Sequence, residues 1–155
     1  MKNAIFDYSG VINDNRETTY YAALKIFEHF GAPPISYQEF RREWIQPFML
    51  FYNKYLPQVT FEEEVVVYKK YYQEVLAEHP VKLYPGMADF LTKLYSQGTE
   101  MMIVSSDSQT FIIQELQSFG LDKLFKQVVA SVHDKTEGLL NLIAQNNLDV
   151  THTIF

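Results

Sequence analysis

The stretch Asn3-Ala4-Ile5-Phe6-Asp7-Tyr8-Ser9-Gly10-Val11-Ile12 constrains this chain more than any other. It opens apolar, which reads as a short buried strand. It then meets an acid, and Ser9-Gly10 follows as a turn signal. Open parallel sheets present their reactive groups in the crevice beyond the carboxyl ends of their strands. An Asp at such a strand end is therefore a candidate functional group. Taken alone, Asp7 can also be read as the cap of a turn.

The order of elements along the rest of the chain decides what surrounds that strand. Residues 14–80 read as a helical block without strands. A helix is expected over about Thr18 to His29, with Tyr20, Leu24, Phe27 and Phe30 at helical spacing and Gly31 closing it. Ser36 with Glu39 looks like a capping box opening a second helix that carries Phe40 and Trp44, with Pro47 kinking or splitting it. Thr60 with Glu63 is another such box. The helix it opens shows Val65, Tyr68, Tyr72, Val75 and Leu76 on one face and stops near His79-Pro80.

After Tyr84-Pro85-Gly86 the texture changes. A helix with Met87, Phe90, Leu91, Leu94 and Tyr95 on one side ends at Gly98. Glu100 to Ser105 reads as a buried strand. Ser106-Asp107-Ser108 leads into a helix with Ile112, Leu116 and Phe119, stopped by Gly120. Gln127 to Ala130 is a third short strand. Asp134 with Glu137 opens a helix containing Leu139, Leu140 and Ile143, and Thr151 to Phe155 begins a fourth strand. Strands alternating with helices of this length predict an α/β fold, a parallel sheet with helices on both faces. The expected division is residues 1–13 and 81–155 for the α/β core and 14–80 for an inserted helical unit. Linkers are expected near residues 11–17 and 80–86.

Three strand tips carry different polar groups: Asp7, Ser105 and, just after the third strand, Lys135. In a parallel sheet they converge on one edge. An acid, a hydroxyl and a cation together suit phosphoryl transfer. The carboxylate can attack phosphorus. The hydroxyl can donate to a phosphoryl oxygen, and the ammonium can offset the charge of the transition state. Backbone N–H groups at Gly10, and at Ser106 where a helix is expected to begin, add candidate anion contacts. Each residue has an ordinary reading too: Ser105 as a helix cap, Lys135 as a solvated side chain.

Composition excludes several other classes. The net charge of -6 and pI of about 5.2 argue against a general nucleic-acid binder. The absence of cysteine excludes disulfides and thiolate chemistry. No apolar run approaches the roughly 20 residues that span a bilayer, and no secretory signal opens the chain, so a cytoplasmic protein is expected. His29, His79, His133 and His152 show no metal-ligand spacing. The aromatic residues between 40 and 72, Trp44 included, read as the interior of the helical unit or as the lining of a substrate pocket.

The residues also carry a resemblance. Ile5-Phe6-Asp7-Tyr8-Ser9-Gly10-Val11-Ile12 is similar to the first motif of the haloacid dehalogenase superfamily, hydrophobic-Asp-x-Asp-Gly-Thr or Val. Tyr84-Pro85-Gly86, and Gly98 before a strand ending Ile103-Val104-Ser105, resemble the second-motif region. Phe119-Gly120-Leu121 through Phe125 looks like the Gly-Leu-x-x-x-Phe element, and Asp134-Lys135 resembles the third motif. The likeness is to the branch of phosphoglycolate phosphatase and β-phosphoglucomutase. It covers residues 3–12 and 84–155; residues 14–80 match only as a helical cap in position and character.

The resemblance implies a Rossmann-like core with an all-helical cap and a phosphohydrolase of small phosphorylated metabolites working through an aspartyl-phosphate. Asp7 would be nucleophile and magnesium ligand, and the Ser9 carbonyl a second ligand. Ser105 and Lys135 would hold the phosphoryl group. Two departures stand out. Ser9 occupies the place of the family's second Asp, the general acid and base, and a serine hydroxyl cannot shuttle a proton as a carboxylate does. The fourth motif, Gly-Asp and a further Asp that hold magnesium, would follow Phe155, so the core reads as C-terminally truncated with Mg2+ weakly bound. The expectation is thus an impaired phosphatase. The alternatives are a non-catalytic phosphate-binding or interaction protein on the same fold, and a dehalogenase-like hydrolase attacking carbon.

Overall fold

The computed structural model of the chain describes residues 2–45, 48–132 and 134–155. In chain order the strands are β1 (Asn3–Phe6), β2 (Asn13–Asp14), β3 (Lys82–Leu83), β4 (Glu100–Val104), β5 (Phe125–Val129) and β6 (Thr153–Ile154). The helices are α1 (Arg16–His29), α2 (Tyr37–Glu43), α3 (Met49–Tyr55), α4 (Phe61–Glu78), α5 (Met87–Ser96), α6 (Gln109–Ser118) and α7 (Lys135–Gln145). None of the described helices is long and apolar enough to cross a membrane.

One sheet runs β5-β4-β1-β6 with every pairing parallel. Its central strands are apolar on both faces because both faces are covered. Successive residues of a strand point to opposite sides. Ala4, Met101 and Ile103 therefore join Leu91 and Leu94 of α5 and Ile112 and Leu116 of α6 in one cluster. Ile5, Met102 and Val104 pack on the other face with Leu142 of α7. The α/β parallel sheet expected from the pattern is the fold observed.

Element boundaries differ in detail. The third strand of the sheet spans Phe125–Val129 rather than 127–130; Lys126 on its exposed side hides its start. The last strand is only Thr153–Ile154. On α5, Leu91 and Leu94 are buried while Phe90 and Tyr95 are 49% and 53% exposed, because they lie at the two borders of the stripe that meets the sheet. The segments expected as plain linkers contain an antiparallel ribbon, β2 with β3, pairing Asn13 with Leu83 and Asp14 with Lys82. Two-residue strands leave no periodic pattern to read.

The chain divides into two compact units, one built from the residues up to Asp14 and from Lys82 onward, the other from Asn15–Val81. The second contains α1 to α4 around an aromatic interior. Phe27, Phe40, Phe51 and Tyr52 are fully buried, with Trp44 against Phe51 at 5.1 Å between ring centroids. Those rings pack on one another. Caps set the helix starts: Ser36 Oγ accepts from Glu39 N at 3.1 Å, and Thr60 and Glu63 form a reciprocal capping box. Pro47 lies outside the described residues, between the separate helices α2 and α3.

Glu64 departs from this apolar interior. It is 1% exposed, and both its carboxylate oxygens lack a hydrogen-bond partner among the described residues, as does the buried Tyr52 hydroxyl. Burial pushes the Glu64 carboxyl up to about 7. The folded unit holds a proton there that the unfolded chain releases at about pH 4.5. Stability therefore falls as pH rises from about 4.5 to about 7 and stays lower above it. The loss is on the order of 3 kcal/mol. Urea denaturation across that window should show this slope in the wild type and a markedly smaller one in Glu64→Gln; a Glu64→Gln slope equal to wild type would place the proton elsewhere.

The loop after β1 hangs on another buried acid. Glu115 of α6 accepts from the Tyr8 hydroxyl at 3.0 Å and from Asn13 Nδ2 at 2.7 Å. Burial, and then the Glu115 charge, push the Tyr8 phenol up. The Tyr8 carbonyl accepts from Ile12 N at 2.9 Å, closing the turn, and Gly10 takes φ +78°, which only glycine adopts without strain. Glu115→Leu leaves a phenol and an amide buried without their acceptor. It should cost about 3 kcal/mol, and Tyr8→Phe only about 1 kcal/mol, in thermal or urea unfolding. Equal, small losses would show that Glu115 does not anchor this loop.

Candidate functional site

β1 delivers Asp7 to the carboxyl edge of the sheet, and its Oδ1 accepts from Tyr8 N at 2.8 Å. Lys135 arrives from the other end of the chain as the first residue of α7. Asp134 starts that helix, its Oδ1 accepting from Thr136 N at 2.8 Å and Glu137 N at 3.2 Å. One turn on, Gly138 allows close approach, since a Cβ there would lie 2.6 Å from Val132 Cγ1. Lys135 Nζ reaches Asp7 Oδ2 at 2.6 Å, both side chains being half-buried. The acid and the cation read from two separate strand tips thus form one ion pair.

Ser105 follows β4 and is 1% exposed. Its backbone knits two strand ends together: Ser105 N donates to Val129 O at 2.9 Å, and Val132 N donates to Ser105 O at 3.1 Å. Its hydroxyl donates to Asp107 Oδ2 at 3.0 Å. Ser9 Oγ donates to that same oxygen at 2.5 Å. Asp107 therefore joins Ser9 to Ser105. In the sequence Asp107 reads only as part of a helix lead-in. The signal was available: Asp107 is, like Asp7, an acid in the loop just beyond a buried strand.

Two expected anion contacts sit differently from the reading. Gly10 N–H already donates to the Asn13 carbonyl at 3.0 Å. Ser106 lies in a bend and not in a helical turn, because α6 starts at Gln109 with Ser108 as its N-cap. The dipole of α6 is thus aimed three residues further along than expected. His133, beside Lys135 in sequence, lies outside the described residues.

The electrostatics follow from two carboxylates sharing one edge. Burial raises the Asp107 carboxyl; the hydrogen bonds from Ser9 and Ser105 draw it down, the Asp7 charge raises it, and Lys135 draws it down. The oxygen donors are of the hard type that magnesium takes. Among the described residues no three His, Asp or Glu side chains gather to hold an ion. In donor chemistry alone, the Asp7 carboxylate and the Ser9 carbonyl are oxygens of the kind that suit magnesium.

Known proteins place the chain as a whole. A family model described as haloacid dehalogenase-like hydrolase matches residues 4–155. A phosphoglycolate phosphatase of Synechococcus elongatus is 28% identical over 149 residues, 94% of this chain and 69% of that protein. Among solved structures, a haloacid dehalogenase-like family hydrolase of Streptococcus pneumoniae superposes with a TM-score of 0.83 at 17% identity, covering 99% of this chain and 74% of its own. CbbY of Rhodobacter sphaeroides, solved in complex with phosphate, gives 0.80 at 15% identity, covering 99% and 76%. At these identities the structures speak for the fold, and the family model speaks for descent. The chain belongs to the haloacid dehalogenase-like hydrolase family.

Proposed function

We propose that this hydrolase is a phosphatase of small phosphorylated metabolites, acting through an aspartyl-phosphate on Asp7 with slow turnover. The observation that carries the reading is the Asp7–Lys135 ion pair at the carboxyl edge of the sheet, the edge at which β4 leads into Ser105. The relative from Synechococcus elongatus, named a phosphoglycolate phosphatase, supports the substrate class.

In the first half-reaction an Asp7 oxygen attacks phosphorus, the P–O ester bond breaks, and the leaving oxygen takes a proton. Lys135 offsets the phosphoryl charge as it builds. The Ser105 hydroxyl, the Ser106 backbone and the Gly10 turn border the phosphoryl group. In the second half-reaction water displaces Asp7 and releases phosphate. Ser9 stands where proton transfer to and from the leaving group and the water is needed, and its hydroxyl does this poorly. Asp7 and the Ser9 main-chain carbonyl are the groups that would hold magnesium, which when bound neutralises phosphoryl charge. The helical unit, residues 14–80, corresponds to the family's helical cap.

A second reading is favoured by Ser9 itself: the same site binds phosphate without turning over. One experiment separates the two. Phosphate release from an aryl phosphate with magnesium is measured for the wild type, Asp7→Asn and Ser9→Asp, with intact-mass analysis after acid quench. The expected outcome is slow release abolished by Asp7→Asn, a phosphoryl adduct on the wild type, and turnover raised on the order of 100-fold in Ser9→Asp. Release that persists in Asp7→Asn removes Asp7 as nucleophile. Phosphate binding with neither adduct nor release supports the binding protein.

A further inference from the structure

The donors at the sheet edge are engaged with acceptors of the protein's own. A seryl hydroxyl carries one proton. The Ser9 and Ser105 hydroxyls both direct theirs to Asp107 Oδ2, and Lys135 directs one of its three to Asp7. A hydroxyl proton aimed at a carboxylate is not at the same moment aimed at a phosphoryl oxygen.

Asp107 is also held where it is. Its N–H donates to Ser105 Oγ at 3.2 Å, and its carbonyl accepts from Ser131 N at 2.8 Å. Ser131 takes φ 57°, a left-handed conformation uncommon outside glycine, in making that contact. The backbone of Asp107 is thus tied to Ser105 and Ser131, and this sets its carboxylate beside the two hydroxyls.

We propose that Asp107 is a specificity-determining residue: an internal carboxylate that competes with a bound phosphoryl group for the Ser9 and Ser105 hydroxyls and so keeps the site's hold on bare phosphate weak. This rests on reading Asp7, Ser105 and Lys135 as the phosphoryl site. The like charges of carboxylate and phosphate add to the competition for hydrogens. Two consequences follow. Inorganic phosphate, the product, leaves readily. Affinity for an ester is then drawn from its organic part rather than from its phosphoryl group.

The test is calorimetric titration of the intact chain with inorganic phosphate, free of divalent metal and at fixed pH. Wild type is compared with Asp107→Asn and Asp107→Ser, and near-ultraviolet circular dichroism checks that each is folded. Asn keeps the size and removes the charge. Ser shortens the side chain and decides the matter if Asn does not fold. The expected result is binding at least about 10-fold tighter in the variants, the scale of freeing charge-assisted hydrogen bonds. Adding Lys135→Ala to the tighter variant should return it toward the wild type and so locate the gain at this edge. A merely structural Asp107 would lower stability and leave phosphate affinity equal or weaker; that outcome overturns the proposal while the phosphatase reading stands. Phosphate binding by none of the proteins, even at millimolar concentration, overturns the proposal; the titration is then repeated with magnesium, and non-binding there overturns the phosphatase reading as well.

Discussion

The ion pair between Asp7 and Lys135 is the contact on which the rest of this edge depends, because it joins groups 128 residues apart in the chain. Neither side chain reaches the other unless β1 is central and α7 crosses back over the sheet. A half-buried pair of this kind contributes modestly to stability. Its consequence is electrostatic. It sets a carboxylate and an ammonium side by side at one end of four parallel strands, where a charged group from solution can meet both.

The layers around the sheet make that placement reproducible. α5 and α6 seal one face and α7 the other, so β4 is apolar on both sides and has one register on β1, from Asn3 opposite Glu100 to Phe6 opposite Ile103. Register decides which residue emerges at the strand tip. The buried Glu115 carboxylate then fixes the first turn from beneath through Tyr8 and Asn13. The turn is thus held by its buried residues, which leaves Asp7 and Ser9 at its surface.

The helical unit follows a different logic. Its interior is a continuous set of aromatic rings, and its helix starts are specified by side-chain caps. Into that interior it admits one carboxyl, Glu64, which burial keeps protonated at mildly acid pH. Glu62, Glu63 and Glu64 look alike in sequence as the solvated start of a helix. Only Glu63 caps and only Glu64 turns inward, because three consecutive helical residues point 100° apart.

What is local in this fold is legible in the order of residues along the chain. Alternating strand and helix signals specified a parallel sheet covered on both faces, since burial on both sides demands apolar runs such as Met101 to Val104. An acid, a hydroxyl and a cation each followed a strand signal, so the positions of Asp7, Ser105 and Lys135 could be read one at a time. The tertiary structure decided what depends on pairs distant in sequence. Asp107 meets Ser9 across 98 residues, and nothing near either residue announces the other. The ribbon of Asn13-Asp14 with Lys82-Leu83 is too short to leave a period. The inward turn of Glu64, and the direction in which each hydroxyl proton points, depend on which neighbours packing supplies. Periodicity reports which face of an element is apolar; it carries no record of the partner that face or that hydrogen will find.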